Sequence, residues 1–303
     1  MGEIVYRARD SGQIKKEKVY GKFFLETLYG TTLLSTLFSA VFLPLVAPLP
    51  FFSNVYGKWQ KRKKSRLKIL PFIKNFHVDV SEFADPIESF NSFNDFFIRK
   101  LKKEARPFPK EENIAIFPAD GRHMVYPNLG EAEGFYIKRK KFDLRRLLQD
   151  NFLFEMYKDG GMVISRLCPT DYHRYHFPCA AVPGKSRLIN GPLFSVNPLA
   201  LRKHIHILSE NKRVITPLET GLFGQVLFIE VGATCVGSIQ QTYSPGKPYA
   251  KGDEKGYFEF GGSTTILLFQ QSTIQFDEDL IASSKKYMET YAKMGDRLGE
   301  MKR

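Results

Sequence analysis

Cysteine is scarce in this chain, with three residues in 303. Cys168, Cys179 and Cys235 are widely spaced and form no C-x-x-C pair. That spacing argues against a disulfide framework and against a cysteine zinc site, and it fits buried, reduced thiols in a protein facing the cytosol. Acidic residues are also short, 32 against 45 basic ones, which leaves a formal charge of +13 and points to an anionic partner. No helix-turn-helix, zinc-finger or RNA-binding signature is present, and the basic residues gather beside an apolar stretch. Nucleic acid is therefore the poorer candidate and anionic lipid the better one. Residues 1–20 are polar and carry no short apolar core followed by a small-residue cleavage site, so a cleaved secretory signal is not expected. No internal repeat is found.

Phenylalanine is abundant at 27 residues, with 14 tyrosines, and 43% of the chain is hydrophobic, enough for a sizeable core in one large domain or two small ones. The most apolar part runs from Leu33 to Phe52 without a charged residue, close to the length of a membrane span. Pro44, Pro48 and Pro50 interrupt it. The pattern predicts a helix over about Lys22 to Phe42, then an irregular apolar segment dipping into the interface. Directly after it comes Lys58-Trp59-Gln60-Lys61-Arg62-Lys63-Lys64-Ser65-Arg66-Leu67-Lys68. An apolar segment beside a basic cluster holds a protein on an anionic leaflet by two signals, each cation contributing about 1 kcal/mol. A core helix, a true span and an ordinary solvated charged face are the alternatives. The expected organisation is a membrane-associating segment, 1–68, and a folded domain, 69–303, entered through a connector over 69–92.

Ser92 with Asp95 three residues on reads as a helix N-terminus of the capping-box kind. Phe93, Phe96, Phe97 and Leu101 share one face of the predicted helix, which ends before Arg106-Pro107, a pair that carries no evident chemistry of its own. After Pro118-Ala119-Asp120-Gly121 the pattern becomes short strands and turns, with Asp120 itself a natural turn residue. Gly161–Arg166, Val226–Val231 and Ser263–Phe269 read as strands. A helix is expected near Phe142–Leu148 and an amphipathic one over about Asp279 to Leu298. The fold class is α+β, a largely antiparallel β core with helices at the N-terminal and C-terminal ends.

The chain is organised around Gly261-Gly262-Ser263-Thr264, set between Tyr257-Phe258-Glu259-Phe260 and Thr265-Ile266-Leu267-Leu268-Phe269. Alone, such a stretch is most simply a bulge or a close backbone approach in a strand. It also exposes a peptide bond to attack, since glycine puts no side chain in the way and tolerates unusual backbone angles. Ser263 Oγ could attack the Gly262 carbonyl and form an ester by an N→O acyl shift. Loss of the Ser263 α-proton with elimination would then break the ester, and hydrolysis of the resulting dehydroalanine would leave ammonia and an N-terminal pyruvoyl group. Such a step needs a base with an acidic partner. His173 and His176 are spaced to share one side of a helical turn or to face apart on a strand. A metal site including Asp171 is an alternative reading of that pair. A serine hydrolase or transacylase is another, although the G-x-S-x-G elbow is missing. A membrane-binding scaffold without catalysis is a third.

Several separated segments decide among these. They are Phe93-Asn94-Asp95-Phe96-Phe97-Ile98-Arg99-Lys100-Leu101, Arg106-Pro107, Pro118-Ala119-Asp120-Gly121, Asp171-Tyr172-His173-Arg174-Tyr175-His176 and Leu193-Phe194-Ser195-Val196-Asn197-Pro198. Asn211-Lys212-Arg213-Val214, Val231-Gly232-Ala233 and Val236-Gly237-Ser238-Ile239 follow. In this order, from about Phe93 to Phe269, the chain resembles the phosphatidylserine decarboxylases. The resemblance implies self-cleavage between Gly262 and Ser263 into a long chain, 1–262, and a short chain, 263–303, with a covalent pyruvoyl cofactor derived from Ser263. It implies a processing triad of Asp120, His176 and Ser263, with His173 serving decarboxylation. The implied reaction converts phosphatidylserine to phosphatidylethanolamine and carbon dioxide through a Schiff base on the pyruvoyl group. No metal is implied; the two chains stay associated, and pairing of subunits is an expectation. The expected location is peripheral, on the cytoplasmic side of the cell membrane. One departure is Gly261, where many members have leucine.

Overall fold

The computed structural model of the chain describes residues 3–20, 57–132, 134–135, 137–138, 143–203, 205–233 and 238–302. The predicted apolar helix at 22–42, the rest of the uncharged run to Phe52, Phe142 and Cys235 lie outside these residues, as do Val236 and Gly237 of one family segment. The chain opens with β1 (Val5–Ala8) and β2 (Ile14–Lys16), and after a short 3₁₀ stretch over Lys63–Lys68 continues into α1 (Ile69–Phe76) and α2 (Phe93–Phe97). Next come β3 (Ile114–Ile116), β4 (Gly121–Tyr126), β5 (Gly134–Phe135), β6 (Ile137–Lys138), α3 (Leu144–Leu148) and α4 (Asn151–Tyr157). The middle holds β7 (Gly161–Leu167), β8 (Arg174–His176), β9 (Val182–Pro183), β10 (Arg187–Ile189), α5 (Pro198–Lys203) and α6 (Ile207–Glu210). The last part runs β11 (Arg213–Glu219), β12 (Gln225–Gly232), β13 (Ile239–Gln241), β14 (Glu254–Phe258), β15 (Ser263–Phe269), β16 (Ile274–Phe276), α7 (Glu278–Lys285), β17 (Glu289–Ala292) and β18 (Arg297–Met301).

Ten strands form one sheet, in the order β10-β11-β12-β15-β7-β4-β17-β1-β2 with β9 also on β11. Its pairings are antiparallel except β1 with β17. The strand that begins at Ser263 sits between β12 and β7 and is buried along its whole length. A strand covered on both faces needs a near-continuous apolar run, which Ile266-Leu267-Leu268-Phe269 supplies. Alternation sends Ile266 and Leu268 into a core shared with α3, α5 and α6, and Leu267 and Phe269 into a core shared with Tyr175, Phe258 and α7. Each such side chain stabilises the fold by about 1.5–3 kcal/mol. Over the second face lies a smaller sheet, β13-β14-β8, which carries His176 and leads toward the Gly-Gly-Ser stretch. A third core, built on Phe72, Phe83, Phe90, Phe93, Phe96, Phe97 and Phe260, joins the N-terminal helices to the residues just before Ser263.

The α+β reading stands, and the strands at 161–167, 225–232 and 263–269 fall where the sequence places them. Helices also enter mid-chain, α3 and α4 before β7 and α5 and α6 before β11. Ser92 caps α2, its hydroxyl accepting from Asp95 N at 3.1 Å. Asp95, shorter than the usual glutamate, reaches Asn91 N at 2.9 Å. The helix stops at Phe97, and Leu101 instead forms a bridge with Phe83. The C-terminal helix is corrected more sharply. It ends at Lys285, and β17 and β18 occupy the remainder. Tyr287 takes a left-handed φ of 55° that turns the chain. Glu289, which falls within the predicted amphipathic helix, lies instead on β17 and is buried against Arg166.

Candidate active site

Ser263 opens β15 with its neighbours in register, Gly232 on β12 and Leu167 on β7. The residue is fully buried and its Oγ has no hydrogen-bond partner, as is also true of Thr264 and Thr265. What distinguishes Ser263 is the backbone before it. Phe260 N is fixed by Asn94 Oδ1 at 2.9 Å, with the Phe260 ring against Phe93 and Phe97. Gly261 follows at φ 143°, a conformation that a leucine would adopt only under strain. At Gly262 an added Cβ would meet only Val196 Cγ2, at 3.6 Å, so the flank of the peptide bond is open. Val196 is carried by the 193–198 segment. Asn211 pins that segment beside the site: its Nδ2 donates to Phe194 O and to Gly232 O, each at 2.8 Å.

His173 immediately precedes β8, its carbonyl accepting from Phe258 N at 3.0 Å. Its ring lies on Phe97 with centroids 3.9 Å apart. Nδ1–H donates to Asp171 O at 3.0 Å, which leaves the lone pair on Nε2, an atom with no hydrogen-bond partner; the Gly261 backbone acts on the same ring and opposes the effect of burial on its pKa. Burial pushes its pKa down to about 3, helped by the Arg99 charge. The imidazole is therefore neutral at physiological pH and offers a bare acceptor. His176, three residues on and within β8, bonds Gly252 O through Nδ1 at 2.9 Å and Tyr172 Oη through Nε2 at 3.1 Å. Burial lowers its pKa as well, opposed by the Gly252 carbonyl and by the charges of Glu254 and Asp120. No helical turn spans the pair: His176 lies in β8 and His173 just before it, and the two histidines engage different groups.

Asp120 is buried and doubly held by Arg106, Nε to Oδ1 at 2.9 Å and Nη2 to Oδ2 at 2.6 Å, and it also accepts from Met294 N at 2.8 Å. Arg106-Pro107, which carries no chemistry in the sequence reading, thus supplies the cation that orients the acid. Among the described residues no hydrogen bond joins Asp120, His176 and Ser263 directly. Tyr172 is coupled to two of them: its hydroxyl meets His176 at 3.1 Å, and the Asp120 charge adds to burial in raising its pKa.

Behind His173 lies a buried ionic network. Asp171 pairs with Arg122 and accepts from Cys168 N at 2.7 Å. Arg122 also faces Glu17 at 3.3 Å, and Arg166 bonds Glu17 at 2.7 Å and Glu289 at 2.5 Å. Glu17 follows β2, so the N-terminal hairpin helps to build the floor of the site. Despite its burial, Glu17 has a pKa lowered to about 2 by the two arginines. Among the described residues no group of three or more His, Cys, Asp or Glu side chains gathers as a metal site, and no helix is long and apolar enough to cross a membrane.

The match of residues 93–300 to the family model for phosphatidylserine decarboxylase covers all of these groups except Glu17. The chain belongs to the phosphatidylserine decarboxylase family. A relative from Chlamydia pneumoniae, a phosphatidylserine decarboxylase proenzyme, is 50% identical over 254 residues, covering 84% of this chain and 84% of its own. The proenzyme of the same name from Chlamydia muridarum (strain MoPn / Nigg) is 44% identical over 302 residues, 98% of this chain and 97% of its own. Family membership supports an enzyme of the decarboxylase class. Family segments with no chemistry in the sequence now have physical roles: Asn94 fixes Phe260, Arg106 orients Asp120, and Asn211 holds the chain beside Gly262. Their partners lie 14 or more residues away in sequence, so nothing local announces them.

Proposed function

We propose that the chain is a proenzyme that cuts itself between Gly262 and Ser263 and then decarboxylates phosphatidylserine to phosphatidylethanolamine. The observation that carries the reading is a buried, unbonded Ser263 Oγ placed after a glycine at positive φ and an open Gly262 peptide bond. Attack of Oγ on the Gly262 carbonyl expels the Ser263 nitrogen and gives an ester. Removal of the Ser263 α-proton with elimination frees the Gly262 carboxylate, and water converts the residual dehydroalanine to ammonia and a pyruvoyl group. That group, when formed, supplies a ketone to take up the substrate amine and the electrons left by departing carbon dioxide. The residues around Ser263 suit it: the site is buried, the neutral His173 stands beside Gly261, and Phe97 and Phe260 exclude water.

The assignment of processing to Asp120, His176 and Ser263 follows the family resemblance, supported by the Asp120 charge acting on His176. His173 is assigned to proton handling during decarboxylation, supported by its bare Nε2. The short chain, 263–303, stays with the long chain, 1–262, through the ladders of β15 with β12 and β7. Trp59 and Leu67 are exposed among the lysines and arginines of 58–68 and Leu70 just after them, an arrangement suited to an anionic membrane surface on the cytoplasmic side of the cell membrane. Residues 1–68 make up the membrane-associating part in this reading and 69–303 the catalytic domain, with pairing of subunits a further expectation.

Carbon dioxide release from phosphatidylserine micelles, read together with the chain pattern on a denaturing gel, tests the assignment. His176→Ala and Ser263→Ala are expected to remain uncut and inactive. His173→Ala is expected to cut yet lose at least about a hundredfold in turnover, the span of a general acid–base contribution. Normal cutting by His176→Ala would remove it from the processing role.

A further inference from the structure

Arg99 follows α2 and its side chain is almost wholly buried, 4% exposed. Nε and Nη1 have no hydrogen-bond partner, and Nη2 makes only long contacts of 3.4 Å to the carbonyls of Thr170 and Asp171. The guanidinium lies over the rings of Phe83 and Phe96, each at 5.1 Å. The nearby carboxylates are engaged elsewhere, Asp120 by Arg106 and Asp171 by Arg122. A buried guanidinium with two empty donors has paid its desolvation without a matching ion, an arrangement that an incoming oxyanion completes.

The surroundings say which oxyanion. On one side Arg99 touches the aromatic core shared by α1 and α2, the lobe that exposes Leu67 and Leu70 beside the basic run. On the other it touches the 170–171 backbone and acts electrostatically on His173, next to Gly261. Resting on the decarboxylase reading above, we propose that Arg99 binds the phosphodiester of the phospholipid headgroup as it passes from the membrane-facing lobe to the Ser263 site. The planar fork of arginine matches two phosphate oxygens. The substrate carboxylate is the poorer ligand on chemical grounds. Its charge vanishes when carbon dioxide leaves, so a cation on it would hold the ground state and oppose the reaction. The phosphodiester keeps its charge throughout, and a contact with it binds ground and transition states alike.

The test uses self-cleaved enzyme and dihexanoyl phosphatidylserine, with dihexanoyl phosphatidylethanolamine, which has the phosphodiester but no carboxylate, as competing product. For Arg99→Gln the expected result is a KM raised about ten- to hundredfold, the range of a charged hydrogen bond, with kcat within about threefold. The inhibition constant of the phosphatidylethanolamine rises by the same factor. Arg99→Lys, which keeps the charge and loses the fork, falls between the two. If Arg99→Gln fails to cut itself, Arg99→Lys carries the same comparison. An unchanged inhibition constant would place the contact on the carboxylate, and a fall in kcat at constant KM would make Arg99 a support for His173; either overturns the proposal. Wild-type chain that stays uncut or releases no carbon dioxide defeats the functional reading itself, a separate outcome.

Discussion

Arg106 and Asp120 form a buried pair in which both carboxylate oxygens and both ends of the guanidinium fork are used. Removing one partner strands the other in a site with little water. Arg106→Gln is therefore expected to lower stability by about 3–5 kcal/mol, measured by urea denaturation of a Ser263→Ala background that stays uncut. Acid sensitivity is argued from the buried histidines. His123 and His173 each have a folded-state pKa lowered from 6.5 to about 3, chiefly by burial. Unfolding lets each bind a proton below pH 6.5, so their stabilising effect is complete above that value and is lost as pH falls toward 3. Stability should drop by roughly 1.4 kcal/mol per pH unit for each histidine in that window. Denaturation midpoints at pH 7.5, 6 and 5 check this, and a flat profile would mean that these rings are not buried neutral. At this scale the sequence exposes Ser263, His173 and His176, because a glycine pair and a close pair of histidines are local patterns. Arg106 and Glu17 meet partners 14 and 149 residues away along the chain, and no spacing rule reaches them.

Among elements, the central strands were legible because a doubly covered strand writes its burial as a continuous apolar run. The end of the chain was not, since charges that pair inside the fold look the same in sequence as charges in water. Glu289 on β17 is one example, and the pair joining the two sheets is another. Lys255 on β14 is fully buried and bonds Glu230 on β12 at 2.5 Å, with Thr216 and Gln241 as further partners. The rings of Phe228, Tyr243 and Tyr175 surround its ammonium at 4.6, 4.9 and 5.6 Å. This contact fastens the sheet carrying His176 to the one carrying Ser263. Lys255→Met alone is expected to cost about 3–5 kcal/mol by leaving Glu230 buried and unpaired. Adding Glu230→Leu should recover most of it, an apolar pair of similar volume being tolerated where an ion pair stood. Equal losses in the single and double variants, read from urea midpoints, would show that packing rather than charge carries the cost.

For the molecule as a whole, three layers meet at the start of β15. The ten-stranded sheet provides Ser263, the smaller sheet with its lead-in provides the histidines, and the aromatic lobe fixes Phe260 and carries the basic run. This convergence accounts for a family resemblance dispersed over many short segments: each layer contributes residues from separate stretches of chain to one place. It also explains how a cut chain can persist, because residues 263–269 are paired on both sides and buried throughout. The central claim is that the chain makes its own carbonyl at residue 263. Its most direct test is the intact mass of the purified wild-type protein under denaturing conditions, with hydrazine derivatisation of the smaller species. The account predicts two chains, 1–262 and 263–303, the shorter one shifted in mass by hydrazine because it begins with a ketone. A folded protein that runs as one uncut chain, or a short chain beginning with an unmodified serine, would contradict it.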